Sequence, residues 1–233
     1  MKKLYTLILT LILSISLTAC SKPNKQAALE FFDTFNTTLK ADSGIFEGEF
    51  SSKSNVDSTM RFQIQLNQKQ ELNVAARIDL IADGNVQEHF IDFYIKDGNT
   101  YLNAVGTRSK STLANLGMSK TDKLNVYNPL LSYTNDEILE FVDSATKEKD
   151  TYSIDLKTRK IEVLLDSLGS ISLKKAHIEA KEKNGILESL HFTIEGKQTI
   201  NNEHADTMIE IKLRVKDFNQ FNEVSFPDDL NTY

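Results

Sequence analysis

The chain has 233 residues, enough for one domain with a full core or for two small ones. Acids outnumber bases by 33 to 27, a formal net charge of −6, which argues against nucleic acid because that partner calls for a basic stripe. Three prolines, nine glycines and no long biased tract argue against disorder or repeats.

The first stretch is an address. Lys2 and Lys3 give a positive start, Leu4 to Leu17 is apolar and uncharged, and Leu17-Thr18-Ala19-Cys20 closes the run. This is the layout of a secretory signal, too short for a spanning helix of about 20 apolar residues. It resembles a bacterial lipobox. That resemblance implies removal of residues 1–19 and a diacylglycerol on Cys20, the only cysteine in the chain. Two acyl chains suffice for stable anchoring. The expected place is therefore the extracytoplasmic face of a membrane, with 20–25 as a short tether and 26–233 as one folded domain.

Asn24 can cap a helix over 25–40. Ala28, Phe31, Phe32, Phe35 and Leu39 recur at spacings of three and four and make one apolar face, which Gly44 ends. From Ile45 to Val105 the period changes to two, as half-buried antiparallel strands require. Apolar parity then predicts loop lengths. A three-residue loop, Gln68-Lys69-Gln70, sets Leu66 opposite Leu72 and Phe62 opposite Ala76. A Gly84-Asn85 turn sets Ile78 opposite Ile91 and Ala76 opposite Phe93. An Asp97-Gly98 turn sets Phe93 opposite Leu102. The same register gathers Phe90, Tyr94, Tyr101 and Val105 on the other face, with Tyr94 across from Tyr101. Later helices or the Gly106–Asn125 loop could cover that cluster, or it could stand exposed as a partner surface.

Gly106 to Tyr133 reads as a polar loop and a candidate lid or rim. Thr134 and Glu137 form a capping box for a helix ending near Lys147. A strand over 151–156 and a second short helix closed by Gly169 follow. The last section is a meander over 170–182, 186–200 and 205–218. A three-residue loop, Lys183-Asn184-Gly185, pairs Phe192 with Ala176 and Leu190 with Ile178, keeping apolar side chains together.

That register puts His177 across from His191 with Glu179 diagonal, a possible zinc set, although Lys212 or Arg214 beside His191 would oppose a metal. Glu203-His204-Asp206 lies near a turn and reads as a loop rather than a site. Asp83-Gly84-Asn85 and Asp97-Gly98-Asn99 lack the Gly and distal Glu of an EF-hand and read as hairpin turns. There is no G-x-S-x-G, G-x-G-x-x-G or Walker A sequence. No enzyme activity and no cofactor is called for.

The element order is an N-terminal helix, a run of antiparallel strands, short helices, then a meander. It resembles the LolA and LppX type of half-barrel, and 93–103 resembles a strand pair of small Gram-positive lipoproteins. The resemblance implies an α+β single domain whose curved antiparallel sheet wraps around the helices, with an apolar ligand carried between them. The expected cavity exceeds about 300 Å³, with Phe31, Phe32, Phe35, Phe62, Phe93 and Phe192 around it. The alternative is a cell-surface interaction module with a filled core that recruits an envelope protein or polymer through Phe90, Tyr94 and Tyr101.

Overall fold

The computed structural model describes residues 24–54, 57–124, 133–165, 171–200 and 203–233. The signal, Cys20 and Gly169 lie outside them.

Among the described residues eleven strands form a single antiparallel sheet in the order β6-β5-β4-β3-β2-β1-β11-β10-β9-β8-β7. They are β1 (Ser43–Lys53), β2 (Ser58–Asn67), β3 (Asn73–Ala82), β4 (Asn85–Lys96), β5 (Asn99–Ala104), β6 (Thr107–Thr112), β7 (Val142–Glu148), β8 (Thr151–Leu156), β9 (Ile171–Lys183), β10 (Ile186–Ile200) and β11 (Glu203–Lys216). All neighbours but β1 and β11 are consecutive in sequence. Two meanders are thus joined at their first and last strands, and the chain between β6 and β7 runs from one edge of the sheet to the other. The sheet stays open and curved, with the helices on its inner face: the α+β half-barrel expected from the element order.

Helix α1 (Lys25–Leu39) begins where Asn24 accepts from the Ala27 N–H at 3.2 Å. It buries Ala27, Ala28, Phe31, Thr34 and Thr38 against the β7–β10 half of the inner face. Thr38 fastens its far end: the hydroxyl accepts from the Leu187 N–H at 2.8 Å and donates to the Thr34 carbonyl at 2.8 Å. Gly44 does not end the helix. It already lies in β1.

Several predicted registers keep their parity and change their detail. Between β2 and β3, Leu66 faces Val74 and Phe62 faces Ile78, so the loop is five residues long. Leu72 is drawn out of the ladder because it is fully buried in the second apolar cluster, its N–H bonded to the Lys120 carbonyl at 2.7 Å. Between β3 and β4 the tight turn is Asp83-Gly84, one residue earlier than expected. A bulge between Ile78 and Leu80 then restores Ile78 opposite Ile91 and Ala76 opposite Phe93. The Asp97-Gly98 turn and its pairs, Phe93 with Leu102 and Tyr94 with Tyr101, stand as predicted.

Two assignments fail. The polar stretch after Gly106 contains β6, an edge strand with every residue exposed. Thr-Arg-Ser-Lys-Ser-Thr has no apolar alternation, so only pairing with β5 makes it a strand. A 3-10 turn, Leu113–Leu116, follows and buries Leu113 in the second cluster, so part of the supposed lid is core cover. The capping box at Thr134 does start a helix, α2, but it spans only Asn135–Glu140. Residues 142–148 form β7, where Val142 and Ala145 are buried by pairing with β8, overriding the helical pattern. Helix α3 covers Thr158–Leu165.

Candidate functional site

Inner-face side chains of the central strands meet α1 around a cavity of about 420 Å³. Phe31, Phe32 and Phe35 form the helical wall. Phe62, Leu190, Phe192, Ile194, Ile211, Leu213 and Ile178 form the sheet wall. Ile138 of α2 and Phe141 just after it close the cavity, with Leu156 of β8 and Ile161 of α3. Every lining residue is apolar. The Phe31 ring is stacked 6.1 Å from Phe35 and meets Tyr152 edge-on at 5.8 Å.

The position of Phe62 depends on Gly48. A Cβ there would lie 2.7 Å from Phe62 Cζ and 2.0 Å from the Lys212 carbonyl oxygen. Only glycine allows β11 and this ring to come so close.

A charged clamp fixes the start of α1 beside the cavity. Lys147 Nζ lies 2.9 Å from Glu182 and 3.3 Å from Glu30, and 4.6 Å over the Tyr152 ring. Tyr152 donates to the same Glu182 oxygen at 2.5 Å. That hydroxyl, then Lys147, holds the Glu182 carboxyl below the usual carboxylate range. Burial pushes the Tyr152 phenol up.

Five of the six phenylalanines expected around a ligand meet at this cavity: Phe31, Phe32, Phe35, Phe62 and Phe192. Phe93 does not. It packs with Leu66, Leu72, Val74, Ile95 and Leu113 in a second cluster. The inner face is divided because α1 covers one half and the segment after β6 covers the other. Alternation assigns Phe93 to the right face but cannot say which cover lies over it. Ile138, Phe141, Leu156 and Ile161 were missed as lining residues, since they come from short elements whose packing no periodicity reports. Ile211 and Leu213 carried a signal: their parity matches Phe62 and Phe192.

The outer aromatic cluster is not exposed. Tyr94 and Tyr101 are 4 % and 8 % exposed. The later helices do not cover them; residues 221–233 do, through Phe221, Val224, Phe226, Leu230 and Tyr233, and from the Gly106–Asn125 stretch Lys110 Nζ stands 5.2 Å over the Tyr101 ring. Tyr233 meets both tyrosines edge-on at 6.0 Å. Arg108 anchors the tail through Asp229 at 2.9 Å and Thr232 at 2.6 Å. Burial, then the neighbouring Asp92 charge, pushes the Tyr94 phenol to about 12. Phe90 is half-buried and Val105 is 60 % exposed. An exposed patch of Phe90, Tyr94 and Tyr101 is thereby corrected.

The histidine pair is corrected as well. The β9–β10 turn has two residues, Asn184-Gly185, and a bulge between Leu187 and Ser189 restores parity. Phe192 therefore faces Ile178 and Leu190 faces Ala180, while His177 faces Thr193 and His191 faces Glu179. Each imidazole has its own carboxylate: His177 with Asp155 at 2.7 Å, His191 with Glu210 at 2.9 Å. Among the described residues no group of three His, Cys, Asp or Glu side chains is placed to hold a metal. Nor, among them, is any helix long and apolar enough to cross a membrane. Asp206 pairs with Lys174 at 2.9 Å.

No protein-family model and no curated protein matches the chain. Among solved structures it is similar to LprF from Mycobacterium bovis, at 10% identity over 89% of this chain and 99% of that one, with a TM-score of 0.42. It is also similar to a LolA superfamily protein from Nitrosomonas europaea, at 8% identity over 88% and 96% of the two chains, with a TM-score of 0.25. These likenesses concern the arrangement of strands and helices, and nothing about ligand or partner follows from them.

Proposed function

We propose that the chain binds or carries an apolar, lipid-like ligand in the cavity between sheet and helices. A diacylated Cys20 would hold it at the extracytoplasmic face of a membrane. The observation that carries this reading is the 420 Å³ space with an all-hydrocarbon lining. Such a void offers water no partners, whereas engineered apolar cavities of about 150 Å³ stay dry and take up benzene. The volume falls within the ligand-pocket range of about 300–1,000 Å³. The lining supplies no acid, base or nucleophile, which favours binding over catalysis. A filled-core interaction module fits less well, because the core has a large space in it and residues 221–233 cover the outer aromatics.

The test is mass spectrometry of lipids that co-purify with the protein, with uptake of a fluorescent fatty acid by the delipidated protein as its complement. A bound hydrocarbon species that a fatty acid displaces is expected. An empty protein that takes up no fatty acid refutes the reading. For the anchor, Cys20→Ala should abolish labelling by a palmitate analogue and release the protein from membranes.

A further inference from the structure

We propose that the opposite, outer face of the sheet carries a site for a singly charged oxyanion group, carboxylate or phosphodiester, held by Arg214, Ser189 and Lys181. A groove of about 530 Å³ crosses the sheet there, from Glu47 and Glu49 on β1 to Thr151 on β8. The register places Arg214 between Glu47 and Ser189, and Ser189 beside Lys181, in one row across β1, β11, β10 and β9. Neighbouring strands are about 4.8 Å apart. Two long cationic side chains therefore flank one short hydroxyl, with room for an anion above the serine.

The pairing around the row leaves these donors available. Lys216 and Gln63 hold Glu47 at 2.7 and 3.0 Å, and Lys212 holds Glu49 at 3.0 Å. Among the described residues Arg214 has no carboxylate within ion-pair distance, and Ser189 Oγ has no hydrogen bond. Lys181 pairs with Glu188 at 3.0 Å, but these side chains are 55% and 36% exposed. An exposed pair of this kind is worth little and exchanges readily for a better acceptor. The guanidinium fork suits two oxygens of one group.

The charge of the occupant follows from the rim. Lys181, Lys212 and Arg214 stand among Glu47, Glu49 and Glu179 in the groove, with Glu188 beside Lys181. A dianion would meet these carboxylates with twice the repulsion a monoanion meets, while a monoanion still offers the fork two oxygens. This site shares no side chain with the apolar cavity except Leu190 and Leu213, whose side chains point to the other face. Its existence does not rest on the cavity reading.

The test is an NMR titration of the full chain, following the Arg214 Nε–Hε signal, with acetate, dimethyl phosphate and inorganic phosphate as probes. Saturable millimolar binding of acetate or dimethyl phosphate is expected, the tighter of the two identifying the group. Arg214→Gln should weaken it about tenfold or more, the loss of a charge-assisted contact, and Arg214→Lys by less. These exposed substitutions leave the core untouched. The proposal is overturned if neither monoanion saturates, if Arg214→Gln binds like the wild type, or if inorganic phosphate at pH 8 binds most tightly.

Discussion

Substituting Ile211 by Phe separates a ligand cavity from an ordinary core. Ile211 lies in the sheet wall of the cavity, between Phe50 on β1 and Phe192 on β10. If ~150 Å³ takes one six-carbon ring, a space of 420 Å³ has room for roughly seventeen carbons. Phenylalanine adds about three carbons to the wall, so a chain that filled the wild-type space must withdraw about three from it. At ~0.8 kcal/mol per buried methylene the loss is about 2.4 kcal/mol, or roughly fifty-fold in affinity. A chain of about twelve carbons has space to spare and should bind both proteins equally. The unliganded protein should be as stable as the wild type or more so, because the new ring enters empty space. In a filled core the same substitution would overpack and cost about 1–3 kcal/mol. The assay is displacement of a fluorescent fatty acid by saturated acids of increasing length, with urea unfolding of the delipidated protein beside it. A drop in that stability of more than about 1 kcal/mol, or an affinity loss independent of chain length, would refute the reasoning.

Gly48→Ala should destabilise the protein by about 2 kcal/mol or more, since the new Cβ meets backbone of β11 as well as the Phe62 ring; an unchanged urea midpoint would contradict the close packing. Thr38→Val should cost about 1–3 kcal/mol, because it leaves the Leu187 N–H without its acceptor in a residue with no exposed surface; calorimetry measures it. The Glu182 carboxyl has its folded value below the ordinary 4.5, so its contribution is complete above pH 4.5 and is lost as the pH falls through the lower folded value. Glu182→Gln should therefore flatten the fall in unfolding free energy between pH 5 and pH 3, and an equally steep fall in the variant would count against the clamp. Removing residues 221–233 should uncover Tyr94 and Tyr101, seen as dye binding to exposed apolar surface and as a fall of the Tyr94 phenol toward its ordinary value.

Much of this architecture is legible in one dimension, because side chains on a strand alternate and those on a helix recur every three or four residues. The Phe31, Phe32 and Phe35 stripe, the strand parities from Phe46 to Leu102 and the Thr134 capping box each follow from short-range spacing alone. Phe62 and Phe192 each take their face from local alternation, but only the pairing of β1 with β11 brings those faces together. Parity survives where the register slips: at Leu72 the slip is two residues, which leaves every side chain on its own face, and between β9 and β10 the one-residue Leu187–Ser189 bulge offsets the shorter turn. Local pattern could not decide what depends on distant partners. Thr107–Thr112 is a strand only because β5 lies beside it, and Val142 leaves its helix because β8 offers a better burial. Phe93 and Phe192 look alike in sequence, yet one lies under the segment after β6 and the other lines the space beneath α1. The tail that hides Tyr94 is more than a hundred residues away along the chain. Which face an apolar side chain takes is a property of the backbone nearby; what comes to rest on it is settled by the closure of the whole sheet.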